Sequence, residues 1–280
     1  ELTRKSISFI EKNKDNPFFL YLAHPQPHVP LFASSKFNGR SDHGLYTDVI
    51  EEIDHSVGLI METLKKNDLD KNTIVVFTSD NGPWLSYGGH AGSTGIYREG
   101  KGTTWEGGQR VPCIVWYPNE IKPNSVIQNP LMGIDWLPTF AKITNSSLSE
   151  NKIDGKNIWE NLTGKTDSDP HEALFFYYHK NSLHGVRYGD YKMYFPHRYR
   201  TLNGKRARND GAPIKYEYVD LKENELYNLK TDPSETKNIL NEFPEIAKEI
   251  IALANKKRKE IGDDLTNVVG LENREIGMID

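Results

Sequence analysis

Residues 74–82 read Ile-Val-Val-Phe-Thr-Ser-Asp-Asn-Gly, a β-branched apolar run that stops abruptly on Asp80-Asn81-Gly82. Such a run reads as a buried strand. Its end delivers a carboxylate and a side-chain amide to the carboxyl edge of a sheet, and hard divalent cations prefer oxygen ligands of this kind. Farther along, Gly100-Lys101-Gly102-Thr103-Thr104 and then Trp105-Glu106-Gly107-Gly108 set a lysine between glycines, in a loop whose backbone can approach an anion closely. A metal beside a fixed ammonium suits an oxyanion ester.

The flanking segments place this edge in an α/β layout. Leu2, Ser6, Phe9 and Ile10 recur at helical spacing within residues 2–13, and Asn16-Pro17 breaks that helix. Residues 18–23 are wholly apolar, as in a strand covered on both faces, and run into His24-Pro25-Gln26-Pro27-His28. Val49, Ile53, Val57, Ile60 and Leu64 line one face of a long helix over 46–66, ahead of a strand at 73–79. Strand, helix, strand predicts a right-handed crossover in a parallel sheet, and open α/β sheets bind ligands outside the carboxyl ends of their strands. His24, His28, Asp80 and Asn81 are therefore expected on one crevice. Residues 111–116 form a third expected strand, in which Cys113 reads as a small core hydrophobe. A helix over 136–144, opened by Asp135, carries Pro138 in its first turn, where a missing N–H costs little.

A polar connection over 145–169 leads to short aromatic strands at 173–178, 185–188, 191–195, 216–221 and 225–229, with Gly189-Asp190 as a hairpin signal. A helix over 245–260 closes the pattern. The expected division is an α/β part over 1–165, with a mixed, mostly parallel sheet flanked by helices, and a smaller antiparallel sheet plus helix over 166–280. The net charge of −4 gives no general attraction to nucleic acid or anionic lipid, and no apolar run reaches the length of a membrane span. A single cysteine excludes an internal disulfide.

Five ordered blocks carry a family resemblance: Pro17-Phe18-Phe19-Leu20-Tyr21-Leu22, Pro27-His28-Val29-Pro30, Thr78-Ser79-Asp80-Asn81-Gly82, the stretch from Arg98 to Gly108, and Arg110-Val111-Pro112. Together they resemble the sulfatase family, the arylsulfatase branch of the alkaline-phosphatase-like superfamily. Glu225-Leu226-Tyr227-Asn228-Leu229 with Thr231-Asp232-Pro233-Ser234-Glu235 is similar to the family's C-terminal segment. The resemblance implies that Asp80 and Asn81 bind Ca²⁺, that Lys101 contacts the sulfate group, and that His28 contacts sulfate and helps protonate the leaving alcohol. It also implies a formylglycine nucleophile made from a Cys/Ser-x-Pro-x-Arg signature, together with an upstream aspartate pair. Neither stands in these 280 residues. The chain is thus expected to be the C-terminal part of a longer, periplasmic or extracellular protein, inactive alone, whose substrate is a sulfated glycan or another sulfate ester.

Plainer readings stand beside each assignment. Asp80-Asn81-Gly82 is also ordinary turn punctuation after a strand, and a lone lysine is usually solvated. His90 and Arg98 flank the lysine loop, where they either line the substrate pocket or make no contact with it. His197-Arg198-Tyr199-Arg200, with Lys205, Arg206 and Arg208, is either a solvated basic face or a stretch that brings His197 and its neighbours to an anionic sugar. Asn81 is a poor zinc ligand, which favours sulfate over phosphate esters. A zinc phosphate-ester hydrolase and a non-catalytic sulfated-glycan binding module are the rival functions.

Overall fold

In the computed structural model, residues 1–273 are described. α1 (Leu2–Asn13) buries Ser6 and Ile10, and α2 (Leu45–Lys66) buries Val49, Ile53 and Leu64 on the face marked by its apolar stripe. The two helices pack together, and Thr3 Oγ1 and Ser56 Oγ share a hydrogen bond of 2.7 Å. Leu31 closes over Val49 and Ile53.

β1 (Val75–Thr78) precedes a single helical turn, α3 (Glu106–Gln109), and then β2 (Cys113–Trp116). β1 and β2 pair antiparallel, Val75 opposite Trp116 and Thr78 opposite Cys113. The α/β class holds, but every strand pair among the described residues is antiparallel. Residues 18–23 join no ladder. They are extended with a period of two: Phe18, Leu20 and Leu22 turn inward, while Phe19 and Tyr21 are exposed. The segment is therefore not covered on both faces. Cys113 is likewise exposed rather than buried, as is Ile114 on the opposite face of β2, because in a two-stranded ribbon neither face is covered at this end.

α4 (Trp136–Ile143) and α5 (Trp159–Leu162) follow. Asp135 does not cap α4 with its side chain. Fully buried, it accepts hydrogen bonds from Met132 N, Lys156 N and His171 Nε2 at 2.7, 2.9 and 2.8 Å, which ties the polar connection to the start of the helix.

The C-terminal region forms as its aromatic strands predict. β3 (Leu174–Tyr178), β4 (Ser182–Tyr188) and β5 (Tyr191–Tyr194) are followed by a separate hairpin of β6 (His197–Thr201) and β7 (Glu217–Leu221), then by β8 (Glu225–Asn228). The main sheet runs β3-β4-β5-β8. Gly189, at φ 55°, opens the two-residue turn between Tyr188 and Tyr191, a conformation that glycine adopts without a steric penalty. α6 (Pro244–Ile261) lays Ala247, Ile250 and Ala254 against Leu183, Val186, Met193 and Leu226. This is the larger hydrophobic core.

β6 was missing from the expected strands because its sequence is charged. Its pleat buries His197, Tyr199 and Thr201 and leaves Arg198 exposed. His197, expected to approach substrate, is buried in the core. Its ring stacks on His184 at 4.0 Å, and its Nδ1 lies 2.6 Å from the Phe195 carbonyl. Burial, reinforced by His197 and His179, holds His184 neutral and pushes its pKa down to about 3.

A second buried group joins the two regions. Lys192, on β5, has no exposed surface. Its ammonium donates to Thr104 O at 2.7 Å and to Glu106 Oε1 at 2.8 Å. Glu235, also fully buried, accepts from Glu106 N at 2.9 Å and from the Tyr194 hydroxyl. Burial alone would raise the Glu106 pKa, but the adjacent Lys192 charge and its hydrogen bond outweigh that and lower it. Glu106 is thus held as a carboxylate.

Lys192→Ala leaves that carboxylate buried opposite no ammonium, and we expect a loss of roughly 3–5 kcal/mol in urea unfolding. Lys192→Met combined with Glu106→Gln is expected to recover part of the loss, since removing both charges removes the stranded one. For His184 the folded pKa lies below the unfolded value of about 6.5, so the unfolded chain takes up a proton that the folded chain refuses. The contribution is complete above that value and declines as pH falls toward about 3. Melting temperatures measured from about pH 7 to about pH 4 should fall less steeply for His184→Gln than for the unsubstituted protein; parallel slopes would contradict the assignment.

Candidate active site around Trp84

The turn after β1 is locked to the lysine loop by backbone alone. Gly82 N donates to Gly108 O at 3.0 Å, and Lys101 N donates to Pro83 O at 2.9 Å. A Cβ on Gly82 would overlap the Gly107 carbonyl, so only glycine permits this approach. Asp80 and Asn81 are thereby held beside the loop that bears Lys101.

That loop is anchored at its far end by Trp105, which has no exposed surface. Tyr194, Tyr199 and Tyr227 surround its indole, and the Arg98 guanidinium lies 3.6 Å from the ring centroid. Arg98 also donates to Tyr227 Oη at 3.3 Å, Glu235 O at 3.0 Å and Tyr199 Oη at 3.1 Å. Through these partners Arg98 clamps the loop against the C-terminal region.

At the near end the side chains converge on Trp84. The His28 ring meets this indole edge-on with centroids 5.7 Å apart, and Lys101 Nζ lies 5.3 Å from its centroid. His28 and Lys101 are 73 positions apart in sequence and share this one ring. His28 is exposed, and its Nδ1 sits 2.6 Å from Val29 O. With the proton on Nδ1 donated to that carbonyl, Nε2 is left open. His24 is half-buried instead: burial lowers its pKa, and its Nε2 has no hydrogen-bond partner.

His90 packs elsewhere. The connection between β6 and β7 folds over residues 85–90, with Ile214 N donating to Ser86 O at 3.0 Å and Gly89 N donating to Asn209 Oδ1 at 3.1 Å. The His90 ring lies against Gly211 in that connection. Lys205 pairs with Glu217, whereas Arg206 and Arg208 are exposed beside the same turn.

The donors near Asp80 fit a hard cation in kind. The Asp80 carboxylate is exposed with no ion pair to the described residues. Asn81 Nδ2 donates to Gly82 O at 2.9 Å, and its amide oxygen accepts no hydrogen bond from the described residues. Calcium takes about six to eight oxygens, and among the described residues no group of three or more His, Cys, Asp or Glu side chains is arranged to hold a metal. Asp80 and Asn81 therefore offer part of a coordination shell.

The sequence singles out neither Trp84 nor Lys192, and it marks Arg200 and Glu235 only as members of longer stretches. Lys192 leaves a local trace, as a lysine between Tyr191 and Met193 inside an otherwise aromatic and apolar strand.

Comparison with known proteins agrees with this arrangement. The sulfatase family model matches residues 1–146, and the model for the C-terminal region of aryl-sulfatase matches residues 169–274. Human steryl-sulfatase is 41% identical over 182 residues, which cover 63% of this chain and 31% of that protein. Bovine arylsulfatase A is 34% identical over 247 residues, covering 86% of this chain and 48% of that protein. A solved structure from work on glycosaminoglycan metabolism by Bacteroides thetaiotaomicron superposes with a TM-score of 0.77 at 32% identity, covering 92% of this chain and 53% of its own. The chain spans about a third to a half of the length of the curated relatives it matches. With its glycine-locked turn, its lysine loop and both family models in register, the chain belongs to the sulfatase family.

Proposed function

We propose that these residues form the anion-holding side of a sulfate ester hydrolase that acts on sulfated glycans. The observation that carries this reading is the meeting of His28 and Lys101 on one indole, next to the Asp80-Asn81 turn. A sulfate monoester resists an anionic nucleophile until its own charge is offset. Lys101 supplies that charge at a fixed place, and the open Nε2 of His28 can hand a proton to the departing alcohol oxygen. Asp80 and Asn81 would hold Ca²⁺, which when bound polarises the sulfate oxygens.

No Cys/Ser-x-Pro-x-Arg signature stands in the 280 residues. In this reading the formylglycine nucleophile lies outside them, and they turn over no ester by themselves. A glycan is favoured over a sterol by the exposed cations Arg206 and Arg208 in the connection between β6 and β7, since several anionic groups on one substrate reward several cations. The solved relative that covers 92% of the chain comes from glycosaminoglycan metabolism, which supports the same choice. A periplasmic or extracellular location suits such a substrate; separately, among the described residues no helix is long and apolar enough to cross a membrane.

In the protein that carries these residues together with the nucleophile, Lys101→Ala is expected to lower kcat for an aryl sulfate by about 10²–10³, the cost of losing one preorganised charge at the reacting group. Faster turnover of the matching aryl phosphate, with zinc bound, would favour the phosphatase reading instead. Turnover by the 280-residue chain alone would refute the placement of the nucleophile.

A further inference from the structure

Lys101 is held by its backbone from two sides, and one of the holders comes from the C-terminal hairpin. Arg200 projects from β6, half-buried. Its Nε donates to Lys101 O at 3.1 Å, and its Nη2 donates to the same carbonyl. The guanidinium carbon lies 4.5 Å from the Tyr216 centroid and 5.8 Å from that of Trp84. Trp84 is thus flanked by two cations, Lys101 and Arg200. Gly102 completes the cradle: its φ is +87°, and a Cβ there would fall on the Arg200 guanidinium. The glycine after Lys101 is required by the arginine as well as by the backbone angle.

We propose that Arg200 is the positioning residue for Lys101. Its fork fixes the Lys101 carbonyl, the Pro83 carbonyl fixes the Lys101 N–H, and together they aim the ammonium along the Trp84 face. Nε and Nη2 both donate to the Lys101 carbonyl, and it is through this contact that Arg200 acts on the site. The inference deepens the sulfatase reading and rests on it for its kinetic consequence, though not for the geometry.

The test uses the complete protein with Arg200→Ala, Arg200→Lys and Gly102→Ala. With an aryl sulfate, Arg200→Ala should lower kcat roughly tenfold with KM changed less than about twofold, as expected when a catalytic group is misplaced by a fraction of an ångström. Arg200→Lys keeps the charge but not the fork and should recover part of the rate. Gly102→Ala acts on the same contact, so the double variant with Arg200→Ala should be no slower than the slower single variant. Independently of turnover, pulsed acetylation read by mass spectrometry should modify the Lys101 amine at least about threefold faster in Arg200→Ala, because the loop then opens more often. If the unsubstituted protein hydrolyses no sulfate ester, the sulfatase reading fails and the acetylation rates still decide the role of Arg200. Unchanged Lys101 acetylation, or full kcat in a folded Arg200→Ala, overturns the inference. Should that variant fail to fold, Arg200→Lys and Gly102→Ala carry the same measurements, and unchanged rates in both likewise overturn it.

Discussion

The Lys192 ammonium, fully buried between the Thr104 carbonyl and the Glu106 carboxylate, is the contact on which the rest of the arrangement depends. An ammonium taken out of water costs several kcal/mol unless its protons are matched by acceptors. Here the acceptors belong to the loop that carries Lys101, so desolvation is tolerated only when that loop is docked on β5. Glu235 extends the same logic. It approaches from beyond β8, accepts from Glu106 N, and brings its own carbonyl to Arg98. A buried polar network of this kind strongly favours one register over near alternatives, because any slip strands a charge.

The elements that could be read from the sequence are those whose signal is local. The stripe from Val49 to Leu64 needs only its own periodicity to become α2, and Gly189-Asp190 needs only two residues to turn the chain between β4 and β5. The family blocks located Asp80, Lys101 and His28 for the same reason, since each motif is contiguous. The contacts that join the motifs are not contiguous. Lys192 reaches Glu106 across 86 positions and Glu106 reaches Glu235 across 129, and no pattern in either segment encodes the pairing.

The mistaken expectations share a physical origin. The apolar run over 18–23 suggests cover on both faces, yet Phe19 and Tyr21 are exposed; apolar composition reports what a segment can tolerate, not what lies against it. Cys113 follows the same rule on β2. In β6 the charges of His197-Arg198-Tyr199-Arg200 mask the strand alternation, so the stretch reads as a solvated face or an approach to an anionic sugar and not as a pleated strand. Once pleated, the strand sends His197 into the core beside His184 and leaves Arg200 free to reach Lys101. His197 thus packs inside, and Arg200, three positions on, bonds the Lys101 carbonyl.

Relative magnitudes assign different stiffness to the two ends of the lysine loop. Breaking the Lys192–Glu106 pair costs roughly 3–5 kcal/mol, and the Arg98–Trp105 stack adds a cation–π term of about 2 kcal/mol when desolvated. That end is the more strongly held. At the other end, the partly exposed cations over Trp84 contribute about 0.5–1 kcal/mol each, and the hydrogen bonds from Arg200 to the Lys101 carbonyl about 1.5–3 kcal/mol. The gradient runs from a fixed root at Trp105 to a tip that Arg200 restrains but does not freeze. A cationic tip of this kind can close on an anion without unfolding its root, which makes the placement of Lys101 a property of β5, β6 and the segment around Glu235 as much as of the glycine-rich loop itself.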